Sequence, residues 1–336
     1  PPITGPGGVH RLLWVEAPGR VGLCDFGPGG QARTAVVPLA ADPLNTLAPI
    51  RSAVRVAGDK VDIYLLVDNL NDVIHIRVDL AATELDVSLD QIAAGADPAD
   101  LHVFDTTAGL RVLVANVQAK SLSVLDPATG SGLEIPLDGV VRQFRVIPAP
   151  DGKARVLAWS PGSGLNFLYV VNLDDLAKKK GKAIERIAFD FPIVDLLPVA
   201  GKVLVRHQST SVGLSLLDVV GGTATQFKGT GNLIDLRAID GPSGATAWLL
   251  GSNGSDLRLS RIDLATLHGD STPLHSTGQN LSVSAGLYRV GDGLAVVGSG
   301  LAGLWAAWLP NQPIAAKNMV WFEGFALERW LQGGAP

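Results

Sequence analysis

Short apolar runs alternate with turn-forming clusters along nearly the whole chain. The stretch RVLVANVQAKSLSVLDPATG (111–130) shows the unit. Residues 112–115 and 121–125 are rich in β-branched and aliphatic side chains, which suit a pleated, half-buried surface. Asn116, Gln118, Asp126, Pro127 and Gly130 bound them and favour turns. DLHVFDTTAG (100–109) adds a strand before this pair and GLEIPLDG (132–139) adds one after it. The spacing predicts four antiparallel strands in about 40 residues.

The unit recurs. First strands begin at RLLWVEAPG (11–19), SAVRVAG (52–58), DLHVFDTTAG (100–109), QFRVIPAPDG (143–152), DLLPVAG (195–201), DLRAIDG (235–241) and GLYRVGDG (286–293). Third strands end alike, as in VVPLAADP (36–43), RVDLAATE (77–84), SVLDPATG (123–130) and RIDLATLH (261–268). Successive starts lie 41, 48, 43, 52, 40 and 51 residues apart. That pattern predicts an all-β chain, a seven-bladed β-propeller of four-stranded antiparallel blades. It would be a single domain over 9–336, after a flexible leader at 1–8. Radial repetition leaves only short, protected strand edges. DDLAKKKGKAIER (174–186) reads as a long charged connection between the third and fourth strands of the fourth blade. NMVWFEGF (318–325) closes the seventh blade. ALERWLQ (326–332) is either a short terminal helix or a strand borrowed by the first blade.

Residues 111–130 resemble the YVTN-type β-propeller repeat of bacterial secreted and envelope proteins. The likeness is carried by Val114-Ala115-Asn116, by the strand 121–125, and by Asp126-Pro127-Ala128-Thr129-Gly130. It covers one blade. It implies the fold and a cell-envelope or secreted setting, and related seven-bladed propellers include lactonases. It does not imply an activity, because this fold hosts many.

Composition narrows the function classes. Hydrophobic residues make up 47% and charged residues 18%, enough apolar side chains for a large core, and 39 glycines and 21 prolines supply the turns. A net charge of −5 without a basic stripe argues against nucleic acid as a partner. No apolar run reaches the roughly 18 residues of a membrane-spanning helix. Cys24 is the only cysteine, so neither an internal disulfide nor a cysteine-based zinc site is expected. PPITGPGG at the start reads as a tether left by a removed export signal, with a lipid or linker before Pro1, or equally as a chain boundary.

The familiar catalytic motifs do not hold up. GSGLAG (298–303) fits G-x-G-x-x-G but precedes the strand-like LWAAWLP, where dinucleotide binding needs a helix N-terminus. It aligns with GSNGSD (251–256) as a second-to-third strand turn. No G-x-S-x-G occurs. The six histidines form no H-x-H or H-E-x-x-H pair. DNLND (68–72) lacks the glycine and distal glutamate of a calcium loop and reads as a hairpin turn. Cys24 reads as a packed thiol on a second strand. Trp14, Trp159, Trp248, Trp305, Trp308 and Trp321 read as packing between blades. No cofactor is expected.

Aligning the first strands gives the one candidate site. Their first positions are Arg11, Ser52, Asp100, Gln143, Asp195, Asp235 and Gly286. Two residues on come Leu13, Val54, His102, Arg145, Leu197, Arg237 and Tyr288. The first strand of a blade lines the central channel, so Arg11, Asp100, His102, Arg145, Asp195, Asp235 and Arg237 should crowd one channel mouth. They are either paired structural charges or a ligand or cation site. The chain is expected to be a non-enzymatic binding module or scaffold presenting loops to protein partners. The alternative is a channel-mouth hydrolase using a metal held by Asp100, Asp195 and Asp235, with calcium or magnesium suited to such oxygen ligands.

Overall fold

The computed structural model describes residues 2–5, 8–17, 19–27, 32–39, 47–67, 70–82, 84–106, 109–148, 151, 153–173, 183–199, 201–209, 211–227, 232–241, 244–253, 256–274, 281–290, 293–300, 303–309 and 320–323. Among them, 28 strands form seven four-stranded sheets, each made of four strands consecutive in the chain. The first holds β1 (Pro2–Gly5), β2 (Gly8–Ala17), β3 (Arg20–Phe26) and β4 (Ala32–Pro38). The second holds β5 (Pro49–Ala57), β6 (Lys60–Val67), β7 (Asp72–Asp79) and β8 (Asp86–Ala93). The third holds β9 (Pro98–Thr106), β10 (Gly109–Asn116), β11 (Ser121–Asp126) and β12 (Ser131–Pro136). The fourth holds β13 (Gln143–Pro148), β14 (Ala154–Trp159), β15 (Phe167–Asn172) and β16 (Ile184–Ala188). The fifth holds β17 (Ile193–Val199), β18 (Lys202–His207), β19 (Leu214–Asp218) and β20 (Thr223–Phe227). The sixth holds β21 (Asn232–Gly241), β22 (Gly244–Asn253), β23 (Asp256–Asp263) and β24 (Gly269–Leu274). The seventh holds β25 (Leu281–Val290), β26 (Gly293–Gly300), β27 (Gly303–Leu309) and β28 (Val320–Glu323).

Compactness divides the chain into two units, residues 1–146 with 156–160 and residues 147–155 with 161–336, so the division falls within the fourth sheet. No helix among the described residues is long and apolar enough to cross a membrane.

Burial follows strand position. β6, β10 and β14 end in runs of buried residues, and β18 buries Val203–Val205, because both of their faces meet apolar side chains. β12 keeps one buried residue, Ile135, as a strand at a sheet edge would. Within each unit, apolar clusters lie between consecutive sheets. Leu12, Val21, Leu23 and Val37 pack with Ile63, Ile74, Ile76 and Val78 between the first and second sheets. Tyr64, Leu66 and Val73 pack with Leu101, Val112 and Val114 between the second and third. In the other unit, Leu204, Leu214 and Leu216 meet Leu233, Ala247 and Leu249, and Trp248, Leu250 and Leu259 meet Leu287, Leu294 and Val296. Burying a single side chain of this size contributes roughly 1.5–3 kcal/mol.

The repeat signature has a physical basis. Asn116 is fully buried at the end of β10. Its Oδ1 accepts the Gly95 N–H at 3.1 Å, and its Nδ2 donates to Ser121 Oγ at 3.1 Å and Ser123 Oγ at 2.8 Å. Asparagine and serine recur in the pattern here because each satisfies the other in a site closed to water. His207 ends β18 in the same register and meets Ser215 Oγ through Nε2 at 2.8 Å. Asp126 starts the following turn by accepting the Ala128 N–H at 2.9 Å, and Gly130 takes a φ of +68° there, open to glycine without strain.

Several expectations meet the structure directly. GSGLAG is a hairpin turn closed by Gly300 opposite Gly303, and GSNGSD is its counterpart with Asn253 opposite Asp256. The charged stretch 174–186 begins after β15 and runs into β16, although residues 174–182 lie outside the described residues. NMVWFEGF contains β28. Residues 326–332 lie outside the described residues. Within the expected leader, Pro2–Gly5 forms a strand, paired antiparallel with β2 from Pro2 opposite Arg11 to Gly5 opposite Gly8. A proline-rich start reads as loop from composition, yet proline is tolerated at the first position of an edge strand.

Candidate functional site

The aligned aspartates share one backbone device. The first strand of the third sheet has a register break between its partners Ala115 and Asn116, which face Asp100 and Pro98. β17 breaks between Ile193 and Asp195, and β21 between Leu233 and Asp235. In each case the aspartate is the residue just after the extra one. A bulge of this kind re-aims the following side chain. The carboxylate then folds back onto its own strand. Oδ1 of Asp100, Asp195 and Asp235 accepts the next residue's N–H, from Leu101 at 3.0 Å, Leu196 at 2.8 Å and Leu236 at 2.7 Å.

Asp100 and Asp235 also reach the next sheet. Asp100 Oδ2 accepts the Phe144 N–H at 3.1 Å on β13, and Asp235 Oδ2 accepts the Leu287 N–H at 2.8 Å on β25. Each donor is one residue past the aligned first position of the following first strand. These carboxylates are therefore staples between consecutive sheets. Burial pushes the Asp100 carboxyl above its ordinary value, while the Phe144 and Leu101 N–H groups, Arg51 and Arg145 pull it down.

The basic residues are used in a related way. Arg237 Nε donates to Leu287 O at 3.0 Å, and its Nη2 lies 3.6 Å from Asp235 Oδ2. Arg206 Nη2 donates to Leu233 O at 2.7 Å. Arg145 lies on β13 and His102 on β9, and both are exposed. Arg11, expected on a first strand, lies on β2, the second strand of its sheet in chain order, between Pro2 and Phe26 in register. Among the described residues, no group of three or more His, Cys, Asp or Glu is placed to hold a metal ion.

One residue of this set was missed. β5 has a register break between Pro49 and Arg51, so Arg51, not Ser52, follows its bulge and matches Asp100. Arg51 Nε lies 3.6 Å from Asp100 Oδ1. Matching SAVRVAG with DLLPVAG by their shared Val-Ala-Gly ends sets Ser52 against Asp195, although the bulge places Arg51 there. Cys24 is a free, half-buried thiol on β3. Trp159 and Trp248 are buried, and Trp14 is half-buried. The side chains of Trp305, Trp308 and Trp321 lie outside the described residues.

No family model matches the chain, and no curated protein matches it. Among solved structures it is similar to dihydro-heme d1 dehydrogenase NirN in complex with DHE, with a TM-score of 0.56 and 18% identity over 82% of this chain and 57% of that one. The chain thus spans less than two thirds of that structure. It is also similar to virginiamycin B lyase from Staphylococcus aureus, with a TM-score of 0.44, 10% identity, and 85% and 95% of the two chains covered. The WD40 domain of Toxoplasma gondii coronin gives a TM-score of 0.46 and 11% identity over 97% of this chain and 77% of that one. Likeness at such identity concerns the fold alone. Together with the seven four-stranded sheets, it makes this chain a β-propeller.

Proposed function

We propose that the chain is a non-enzymatic binding module or scaffold, exported to a bacterial cell envelope and presenting its loops to protein partners. The observation that carries this reading is the use of the candidate mouth. Both oxygens of Asp100 and of Asp235 accept backbone N–H groups of their own and the following first strand. A carboxylate engaged in this way serves the framework and is poorly placed for acid–base work or for ligating an ion. Arg237 is likewise directed at a carbonyl of the next sheet. The loops that join the strands stay available for recognition, as loops on a rigid scaffold commonly are.

The test is photo-crosslinking in the source cells, with a benzophenone side chain placed at exposed Ala119 or exposed Val36. A discrete protein adduct from one of these positions supports the reading. The opposing outcome is a metal-assisted hydrolase resembling lactonase propellers. Saturable hydrolysis of a simple lactone in calcium or magnesium, lost in Asp100→Asn and without any protein adduct, would overturn the scaffold reading.

A further inference from the structure

Three connections in the first unit are laced into one frame. They are the β6–β7 loop carrying Asn71, the β8–β9 loop carrying Asp97, and the β10–β11 loop carrying Gln118. Asn71 O accepts the Ala94 N–H at 2.8 Å, and Asn71 Oδ1 accepts the Asp97 N–H at 3.2 Å. Asp97 O accepts the Val117 N–H at 2.8 Å. Gly95 N–H is held by the buried Asn116 side chain. Asp97 itself sits at φ +58°, a left-handed conformation that aspartate and asparagine adopt more readily than most residues. These bonds tie the loop to the β6–β7 and β10–β11 connections, so the Asp97 side chain is presented from a fixed position.

Between these loops lies a cavity of about 270 Å³. Asn71, Asp97 and Gln118 give it polar groups, and Ile50, Leu70 and Pro98 give it apolar walls. It is too small for a nucleotide-sized cofactor and matches one long side chain. Asp97 is its only charged lining residue among those described. The neighbouring cation does not neutralise it: Arg51 faces Asp100 at 3.6 Å and the Ile50 carbonyl at 3.3 Å.

We propose that this cavity receives a single basic side chain, a lysine or arginine, from a protein partner. The inference rests on the binding-module reading and names the chemistry that reading would recognise. The aliphatic stem lies against Ile50, Leu70 and Pro98, while the cationic head meets the Asp97 carboxylate and the carboxamides of Asn71 and Gln118. A long basic side chain suits such a site because its stem is apolar and its head is charged. The prior ordering of the loop lowers the cost of binding.

The experiment is amide NMR of the full chain titrated with N-acetyl-arginine methylamide, with N-acetyl-norleucine methylamide as the uncharged control. Saturable shifts confined to the amides of residues 70–71, 94–97 and 117–119 are expected with the arginine probe alone. Asp97→Asn keeps a residue that tolerates the left-handed backbone, and should weaken binding by about tenfold. Gln118→Leu should weaken it less. Equal shifts in Asp97→Asn, equal shifts with norleucine, or shifts spread over many acidic surface residues would overturn the inference. The binding-module reading is judged separately by crosslinking. An adduct that persists at full yield in Asp97→Asn retains that reading and removes the cavity from it.

Discussion

Arg33 and Asp25 form an ion pair in which the carboxylate is wholly shielded from solvent, with Arg33 Nε donating to Asp25 Oδ2 at 3.1 Å. The same guanidinium donates from Nη2 to Leu80 O at 3.0 Å and from Nη1 to Ala82 O. A charge pair of the first sheet thereby also satisfies two carbonyls of the second. Arg33→Ala removes the cation facing a buried anion, so unfolding free energy should fall by about 3 kcal/mol or more. Arg33→Lys should recover part of this, since one ammonium cannot reproduce the planar fork. Urea denaturation of the wild type and both variants measures the difference, and a lysine variant as stable as the wild type would show that the fork geometry is unimportant.

Asp235→Asn keeps the shape of the staple but replaces one acceptor oxygen with an NH2 group. Either Leu236 N–H or Leu287 N–H then faces a donor. The expected loss is about 1–3 kcal/mol, the typical cost of an unsatisfied backbone group. Hydrogen exchange should quicken first at Leu287, the amide on the neighbouring sheet. A variant with wild-type stability and unchanged exchange there would remove the staple from the account of the fold.

His207 predicts a pH dependence. Burial holds its imidazole below the ordinary value, against the opposing influence of the Phe191 and Pro192 carbonyls and of Asp190. The folded state therefore prefers neutral histidine, while an unfolded histidine protonates near pH 6.5. Stability should be level above about pH 6.5 and decline as the pH drops from there toward the lower folded value. His207→Asn puts the residue of the equivalent position 116 in its place, and should flatten that decline. Melting temperatures from pH 8 to pH 5 test it, and an unchanged slope in the variant would assign the decline to other groups.

Trp248 packs with Leu250, Leu259 and Leu287 between the sixth and seventh sheets and is 3% exposed. The Arg261 guanidinium lies 5.9 Å from its ring centroid. Trp248→Ala should cost about 3–5 kcal/mol through the cavity it leaves. Trp248→Phe should cost less. Chemical denaturation decides between this packing role and a surface role, for which the change would stay within about 0.5 kcal/mol.

The repeat was legible because its strands carry apolar runs and its turns carry Asn, Asp, Pro and Gly at fixed offsets. Asn116 could be singled out as part of a pattern, but its bonds to Ser121 and Ser123 depend on which strands pair. The aspartates 100, 195 and 235 were found by alignment. Their partners were not, because a backbone N–H belongs to every residue except proline and leaves no mark in the sequence. Arg51 was displaced by one position because the alignment followed the shared Val-Ala-Gly hairpin ends, while the register is set at the bulge on the other end of the strand. The strand at Pro2–Gly5 was hidden by prolines and glycines that favour turns elsewhere.

The direction of the staples has a consequence for synthesis. In both, the carboxylate precedes its amide, by 44 residues for Asp100 and by 52 for Asp235. A nascent chain finishes the third sheet at Pro136 before Phe144 is made, and the sixth at Leu274 before Leu287 is made. Each completed sheet thus displays a waiting acceptor when the next first strand leaves the ribosome. At about 5–20 residues per second, the interval between donor and acceptor is a few seconds, far longer than a hairpin needs to form. At these two junctions the next sheet can accordingly be captured as it is translated.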